Sequence, residues 1–310
     1  MEKLFNIKTL ISLLLIALLS FGFYIINKIN SLNENTKIIK ENVDNFIYLN
    51  NRIFQSLYHS KNHQNVSNNI YSMEQLNNST NINMLYPFKS RPLHFEDVIL
   101  FYIFPDIKNG FYIDFGGYHP EKYSVTKFFY DLGWHGINIE PVPEFYEFFV
   151  KNRPRDINLN VCGGEKNGIC TLYVKDSVTS VIKGKFGKSK KIITNKQLTA
   201  KTICETYIPK NKNIEFCKID VEGAEKSILL GFDFNNYTPN VFLLVSLENK
   251  DFQSWEYILF NNSYKYAFTF RRNRFYYNSK LEGMKERFIG VEEKIILYKN
   301  EFVKRNKKNL

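Results

Sequence analysis

Asp220, Glu222 and Glu225 fall within six residues of the stretch "FCKIDVEGAEKSILLGFDF", directly after a short apolar run and around Gly223. Carboxylates so placed can accept hydrogen bonds from hydroxyl or ammonium groups, or take a proton from a hydroxyl nucleophile. Two other places share this character: "GFYIDFGG", with Asp114, Gly116 and Gly117, and "HGINIEP", which ends on Glu140 and Pro141. An acid at a strand tip accepts two hydrogen bonds at once and so can chelate the two hydroxyls of a ribose. Glycines after a strand let the backbone approach a ligand closely or turn through positive φ. His119, in the loop after Gly117, has a pKa suited to general base catalysis; its alternative role is to cap that loop. Glu222 and Glu225 begin the next predicted helix, where negative charge is favoured by about 0.3–1 kcal/mol each. No second cluster of ligands lies near these acids, so they require no metal.

The elements that must position these residues alternate. "GFYIDFGG" and "HGINIE" read as strands, "EKYSVTKFFYDLGW" and "PEFYEFFVKN" as helices, and "DINLNVC" as a third strand. "IEFCKID" and "NVFLLVSL" are further strands, each followed by a helical pattern, "KYAFTFRRNRFYYN" reads as a hairpin, and "KIILYK" as a last strand. Such alternation predicts an α/β fold with an open, doubly wound, mostly parallel sheet and an antiparallel C-terminal edge. Ligands of such sheets bind at the carboxyl ends of the strands, where strand order reverses. One crevice would therefore collect Asp114, Glu140 and Asp220. "DFGGYHP" is neither GxGxxG nor GxxxxGK[ST], which excludes the dinucleotide fingerprint and the P-loop.

The 310 residues are 44% hydrophobic, enough for one large domain with appendages, and carry a net charge of +11 that suits an anionic partner. Six lysines lie between Lys183 and Lys196, in a predicted loop where acceptor recognition could reside; Arg271, Arg272 and Arg274 form a second basic group, and the tail "VKRNKKNL" a third. Each is either a contact for an anionic acceptor or membrane surface, or a solvated segment. No aromatic RNA-reading motif accompanies them, so a nucleic acid partner is not expected. The four cysteines show no CxxC pair and read as buried reduced thiols, with Cys162–Cys170 the pair to check for a disulfide.

Residues 1–27 are expected to form an N-terminal membrane anchor. "TLISLLLIALLSFGFYII", Thr9 to Ile26, is uncharged, apolar and close to the roughly 20 residues that span a bilayer, and no small-x-small cleavage site follows it. Lysines flank both ends, which leaves the side of the membrane open. Residues 28–60 carry a three-four spacing from Ile29 to Leu57 with seven of nine seam positions apolar. That pattern is either a self-associating stalk, which would make the chain a homo-oligomer, or an amphipathic helix on the membrane or the domain. Residues 61–89 are polar and aperiodic, a linker.

The segments "FYIDFGGYHPEKYSVTKFFYDLGWHGINIEPVPEFYEFF", "RPRDINLNVCGG" and "FCKIDVEGAEKSILLGFDFNNYTP" together resemble the FkbM family of S-adenosylmethionine-dependent methyltransferases, over roughly residues 95–300. The resemblance implies a Rossmann-like class I methyltransferase sheet over residues 90–300, followed by a basic tail at 301–310. It implies O-methylation of hydroxyls on sugars or natural products, and together with the expected membrane anchor the acceptor is read as a glycan, lipid-linked saccharide or similar hydroxyl-bearing molecule. Carried over, Asp114, Gly116 and Gly117 would hold the cofactor's amino-acid end. Glu140, with Pro141 after it, would bind the ribose, and Asp220 would face methyl transfer, with Glu222 and His119 as other base candidates. The rival reading is a membrane-tethered interaction protein whose methyltransferase-like domain is inactive.

Overall fold

The structure, a computed structural model, describes residues 90–175, 178–180, 188, 190–209, 211–246, 253–296 and 298. The expected anchor, stalk, linker and basic tail lie outside these residues. No helix among the described residues is long and apolar enough to cross a membrane.

After helix α1 (Glu96–Ile103), the chain enters β1 (Phe111–Phe115), whose five residues are all buried. Next come α2 (Lys127–Asp131), β2 (His135–Ile139), α3 (Pro143–Asn152) and β3 (Ile157–Leu159). Pro143 opens α3 at a position where the absent N–H costs nothing. β2 lies parallel to β1, and β3 parallel to β2. On the other side of β1 runs β8 (Phe216–Ile219), parallel to it, then β9 (Val241–Val245), parallel to β8. The edge is antiparallel: β11 (Asn273–Asn278) pairs with β9, and β10 (Tyr264–Phe270) with β11. The order β10-β11-β9-β8-β1-β2-β3 makes a mostly parallel mixed sheet. The reversal of order falls between β1 and β8.

Strand alternation divides the sheet's two faces. Phe111, Ile113, Phe115, Ile137, Ile139, Cys217 and Ile219 belong to one apolar core. That core also holds Ile203 and Cys204 of α4 (Ala200–Tyr207), Ile228 and Leu229 of α5 (Glu225–Leu230), and Ile258 and Leu259 of α6 (Glu256–Asn261). The alternate positions Tyr112, Asp114, Asn138, Phe216 and Lys218 are also buried, yet most are polar. These strands therefore present a polar face to the interior, and its groups must find partners inside the protein.

Between β3 and β8 the chain builds a second sheet, ordered β4-β7-β5-β6, from β4 (Cys162–Gly164), β5 (Gly168–Lys175), β6 (Val178–Ser180) and β7 (Lys191–Thr199). The single strand expected over "DINLNVC" is thus two, β3 and β4, in different sheets. Asn160 sits at the break, its side chain donating to the carbonyl oxygen of Glu140 at 2.9 Å. The lysine-rich stretch, expected as a loop, is strand from Lys191 onward, because its alternate residue Ile193 packs with Leu172, Val174 and Val142. Cys162 and Cys170 form a disulfide that staples β4 to β5, correcting the reading of four reduced thiols; Cys204 and Cys217 are free and buried.

Two other expectations change. The helix expected over 121–134 is regular only at Lys127–Asp131, because the preceding loop is drawn into the buried polar network described below. "KIILYK" is not a last strand: residues 291–296 are helical. Val291 and Ile295, four apart, are buried, whereas Ile296 is 55% exposed, which is a helical period rather than a strand's alternation.

Candidate active site

At the reversal point the tips of three strands are sewn together. Gly116 and Gly117 donate their N–H groups to the carbonyl oxygen of Ile139, at 3.0 and 3.3 Å, and the Asp220 N–H donates to that of Phe115 at 3.0 Å. Gly116 has φ +82°, and a Cβ there would stand 1.9 Å from the Asp220 carbonyl oxygen. Only glycine permits that crossing. Above it opens a cleft of about 160 Å³ that is open to solvent on one side. Gly116, Gly117 and Tyr118 line it from β1, Glu140 from β2, and Lys218, Asp220 and Glu222 from β8; Tyr123, Ser124 and Phe145 close its sides. Phe145 also packs on the small core of the second sheet, so that sheet supports the cleft wall.

Of the residues singled out from sequence, Gly116, Gly117, Glu140, Asp220 and Glu222 come together here. Glu140 is buried. Its Oε2 accepts the Tyr118 N–H at 2.7 Å and its Oε1 the Val142 N–H at 2.8 Å. Each oxygen keeps a second acceptor position for a ligand. Burial raises its pKa to about 7 against these hydrogen bonds. Asp220 keeps about a third of its side-chain surface open, toward the cleft. Burial raises its pKa, Lys218 opposes the rise and Asp114 adds to it. Glu222, at φ +56°, and Gly223, at φ +115°, make the sharp turn before α5, and the Glu225 carboxylate accepts the Gly223 N–H at 3.0 Å. Glu225 thus holds the turn, the structural part of the acidic cluster.

Three residues are placed otherwise. Asp114 lies behind the cleft rather than on its wall, 1% exposed, with one oxygen taken by Lys218 at 2.9 Å and the other by the Thr126 hydroxyl at 3.1 Å. Its carboxylate is spent inside the protein. His119 is not on the cleft wall; its Nδ1 accepts the N–H groups of Glu121 and Lys122, at 3.0 and 3.1 Å, which is the capping role. Burial lowers its pKa, assisted by Lys122. Pro141 offers its carbonyl oxygen to Asn195 of β7, at 2.9 Å, and so joins the two sheets. Arg274 is also withdrawn from the basic group: it is buried and pairs with Glu256 at 3.1 Å.

Sequence reasoning missed the cation on which the site is built. Lys218 is 6% exposed, and its Nζ donates to Asp114 and to the Gly116 carbonyl oxygen, both at 2.9 Å. A lysine inside the buried strand "FCKI" was the available signal, since such residues are rarely buried without a partner. Beyond Thr126 the polar face continues through Ser124 to the fully buried Arg153, whose Nη2 donates to the Ser124 hydroxyl at 3.0 Å. Arg153 also reaches Asp156 and the Tyr112 hydroxyl, and Asp156 accepts hydrogen bonds from Tyr112, Asn138 and Gly136. No local pattern in "NRPRD" announces this. Among the described residues no group of three or more His, Cys, Asp or Glu side chains is arranged to hold a metal ion.

A mostly parallel α/β sheet with a cleft where its strand order reverses places the protein in the α/β class whose ligands bind at that switch point. Residues 114–266 match the model of the Methyltransferase FkbM domain, a span that contains every residue lining the cleft. This part of the chain is therefore an FkbM methyltransferase domain, which supports a methyltransferase at the level of the family. No curated protein and no solved structure matches the chain.

Proposed function

We propose that the protein transfers the methyl group of S-adenosylmethionine to a hydroxyl of a glycan, lipid-linked saccharide or similar acceptor. The observation that carries the reading is Glu140: a buried carboxylate at the tip of β2, facing the cleft with unspent acceptor positions. Those positions suit the two ribose hydroxyls. The rings of Tyr118 and Phe145, edge to face at 4.6 Å on the same wall, suit an adenine, and Asp220 and Glu222 suit the positive end of the cofactor. The cleft's residues thus fit the group in shape of demand: a diol acceptor, aromatic surface and negative charge.

When bound, the cofactor supplies an electrophilic methyl on a sulfonium. The protein's own work is to hold the acceptor hydroxyl in line and to remove its proton, since positioning carries much of the acceleration and a base assists a weakly acidic hydroxyl. Asp220 Oδ2 is the proton acceptor we assign, with Glu222 the second carboxylate on the same wall. A carboxyl raised by burial is a better base than an ordinary aspartate. The apolar run Thr9–Ile26 supports a single-pass membrane anchor, which would keep the domain near lipid-borne acceptors.

Calorimetric titration of the full chain with S-adenosylmethionine and S-adenosylhomocysteine tests the reading. Micromolar binding that Glu140→Ala abolishes supports it. A well-folded chain that binds neither would turn the assignment to a tethered interaction protein.

A further inference from the structure

We propose that Lys218 is the positioning residue of the cleft: its ammonium ties the loop after β1 to the tip of β8 and sets the charge that Asp220 presents to a ligand. The proposal rests on the methyltransferase reading only for the identity of that ligand.

An ammonium has three donors. Two of Lys218's are spent on β1 and the loop after it, one on Asp114 and one on the Gly116 carbonyl oxygen. The bond to Gly116 holds the residue whose missing Cβ lets the loop cross the Asp220 carbonyl. The third donor has Asp220 Oδ2 as its nearest carboxylate oxygen, at 3.9 Å, and Lys218 itself forms part of the cleft wall. A lysine that served only to neutralise Asp114 would need neither the Gly116 bond nor a place on the wall.

The electrostatics follow from this placement. The charged groups acting on Lys218 are Asp114 on β1, Asp220 after β8 and Glu96 on α1, and Lys218 in turn acts on Glu140 at the tip of β2. Asp220 faces two opposed influences: Asp114, which disfavours its charge, and Lys218, which favours it. The ammonium between them screens one carboxylate from the other. Without it, two acids would share a site with no cation, and one of them would hold its proton. Lys218 thereby determines whether the carboxylate on the cleft wall meets a ligand as an anion.

The test follows the Asp220 carboxyl by carbon-13 NMR in the full chain labelled at aspartate, with Asp220→Asn identifying the resonance. Four chains are titrated: the natural protein, Lys218→Gln, Lys218→Arg and Asp114→Asn. Lys218→Gln keeps a donor but no charge, and the Asp220 midpoint should rise by about one pH unit or more, the scale for an opposite charge at such distance. Lys218→Arg should restore it, and Asp114→Asn, which frees the ammonium for Asp220, should lower it. Asp114→Asn also removes a like charge, so if the Lys218 variants do not fold the pair is checked from its other side. Asp220→Asn should lower the titration midpoint of the Lys218 ammonium in nitrogen-15 NMR, and an unmoved midpoint overturns the proposal. A midpoint unmoved in the folded variants overturns the proposal, because a purely structural lysine would leave it in place. Calorimetry with S-adenosylmethionine and S-adenosylhomocysteine on the same samples separates the two readings. Lys218→Gln should weaken both at least tenfold and Lys218→Arg should recover most of the loss. A natural protein that binds neither, with its Asp220 midpoint still moving as stated, refutes the cofactor and leaves Lys218 where it is placed here.

Discussion

Arg153 donates through Nε and Nη2 to the carbonyl oxygen of Pro120, at 3.0 and 2.6 Å, from a site with no exposed surface. The contact clamps the loop that carries Tyr118 and Tyr123 into the cleft. Both tyrosines have positive φ, +56° and +60°, a conformation that costs an ordinary residue about 1–2 kcal/mol. A strained loop persists only where its surroundings over-determine it, and the buried guanidinium does so. Removing it would also leave Asp156 buried without its cation. Arg153→Met should therefore lose about 3–5 kcal/mol of stability, and Arg153→Met with Asp156→Asn should lose less. Denaturant unfolding with an unchanged slope checks both.

Glu140 makes the fold and the ligand depend on pH in opposite senses. Its pKa is raised from 4.5 to about 7 by burial. A raised acid contributes stability that is fully present below about 4.5 and is lost as pH climbs through about 7. The natural protein should thus lose stability between pH 5 and 8 relative to Glu140→Gln, which has no proton to release. Binding of a diol asks for the ionised form, so affinity for S-adenosylmethionine should rise between pH 6 and 8. In Glu140→Gln it should be about tenfold weaker or more and nearly flat. Melting and calorimetry over one pH series give both results.

Gly116 tolerates no side chain, for two independent reasons: its φ of +82° and the 1.9 Å that a Cβ would leave to the Asp220 carbonyl. Gly116→Ala must push the loop off β8 and pull apart the cleft floor. Loss of cofactor binding together with about 2–4 kcal/mol of stability is expected. A variant that binds normally would mean that the crossing is not part of the site.

The disulfide between Cys162 and Cys170 closes a loop with a sequence separation of 8, for which chain entropy gives about 2–3 kcal/mol. Reduction should lower the melting temperature without unfolding the main sheet, since these cysteines belong to the small core. Thiol titration of the denatured, unreduced protein should find two free thiols, Cys204 and Cys217.

The main strands were legible because each is a local pattern. "FYIDF", "FCKI" and "VFLLV" are short, dense in apolar residues and bounded by glycine or polar turns, and all three are buried strands of the parallel sheet. The hairpin over residues 264–278 was legible for the same reason. The second sheet was not, because its lysine-rich strand has polar residues on one face and only a few apolar ones on the other. The helix at 291–296 was misread because "KIILYK" begins partway through it; Val291, which completes the helical period, lies upstream.

Residue order by itself determined that acids and glycines would stand at the carboxyl ends of β1, β2 and β8, because strand ends and tight turns are set by neighbours in the chain. It could not determine which acids face outward. Asp114 and Lys218 are 104 residues apart, and their 2.9 Å pair exists because β1 and β8 run side by side in register. That pairing turns Asp114 into a buried counter-ion and leaves Glu140, Asp220 and Glu222 to the cleft. His119 is likewise a base in the sequence and a loop cap in the fold. A side chain's chemistry is written in its type, but whether that chemistry is spent inside the protein or offered to a ligand depends on partners that only the folded sheet brings within reach.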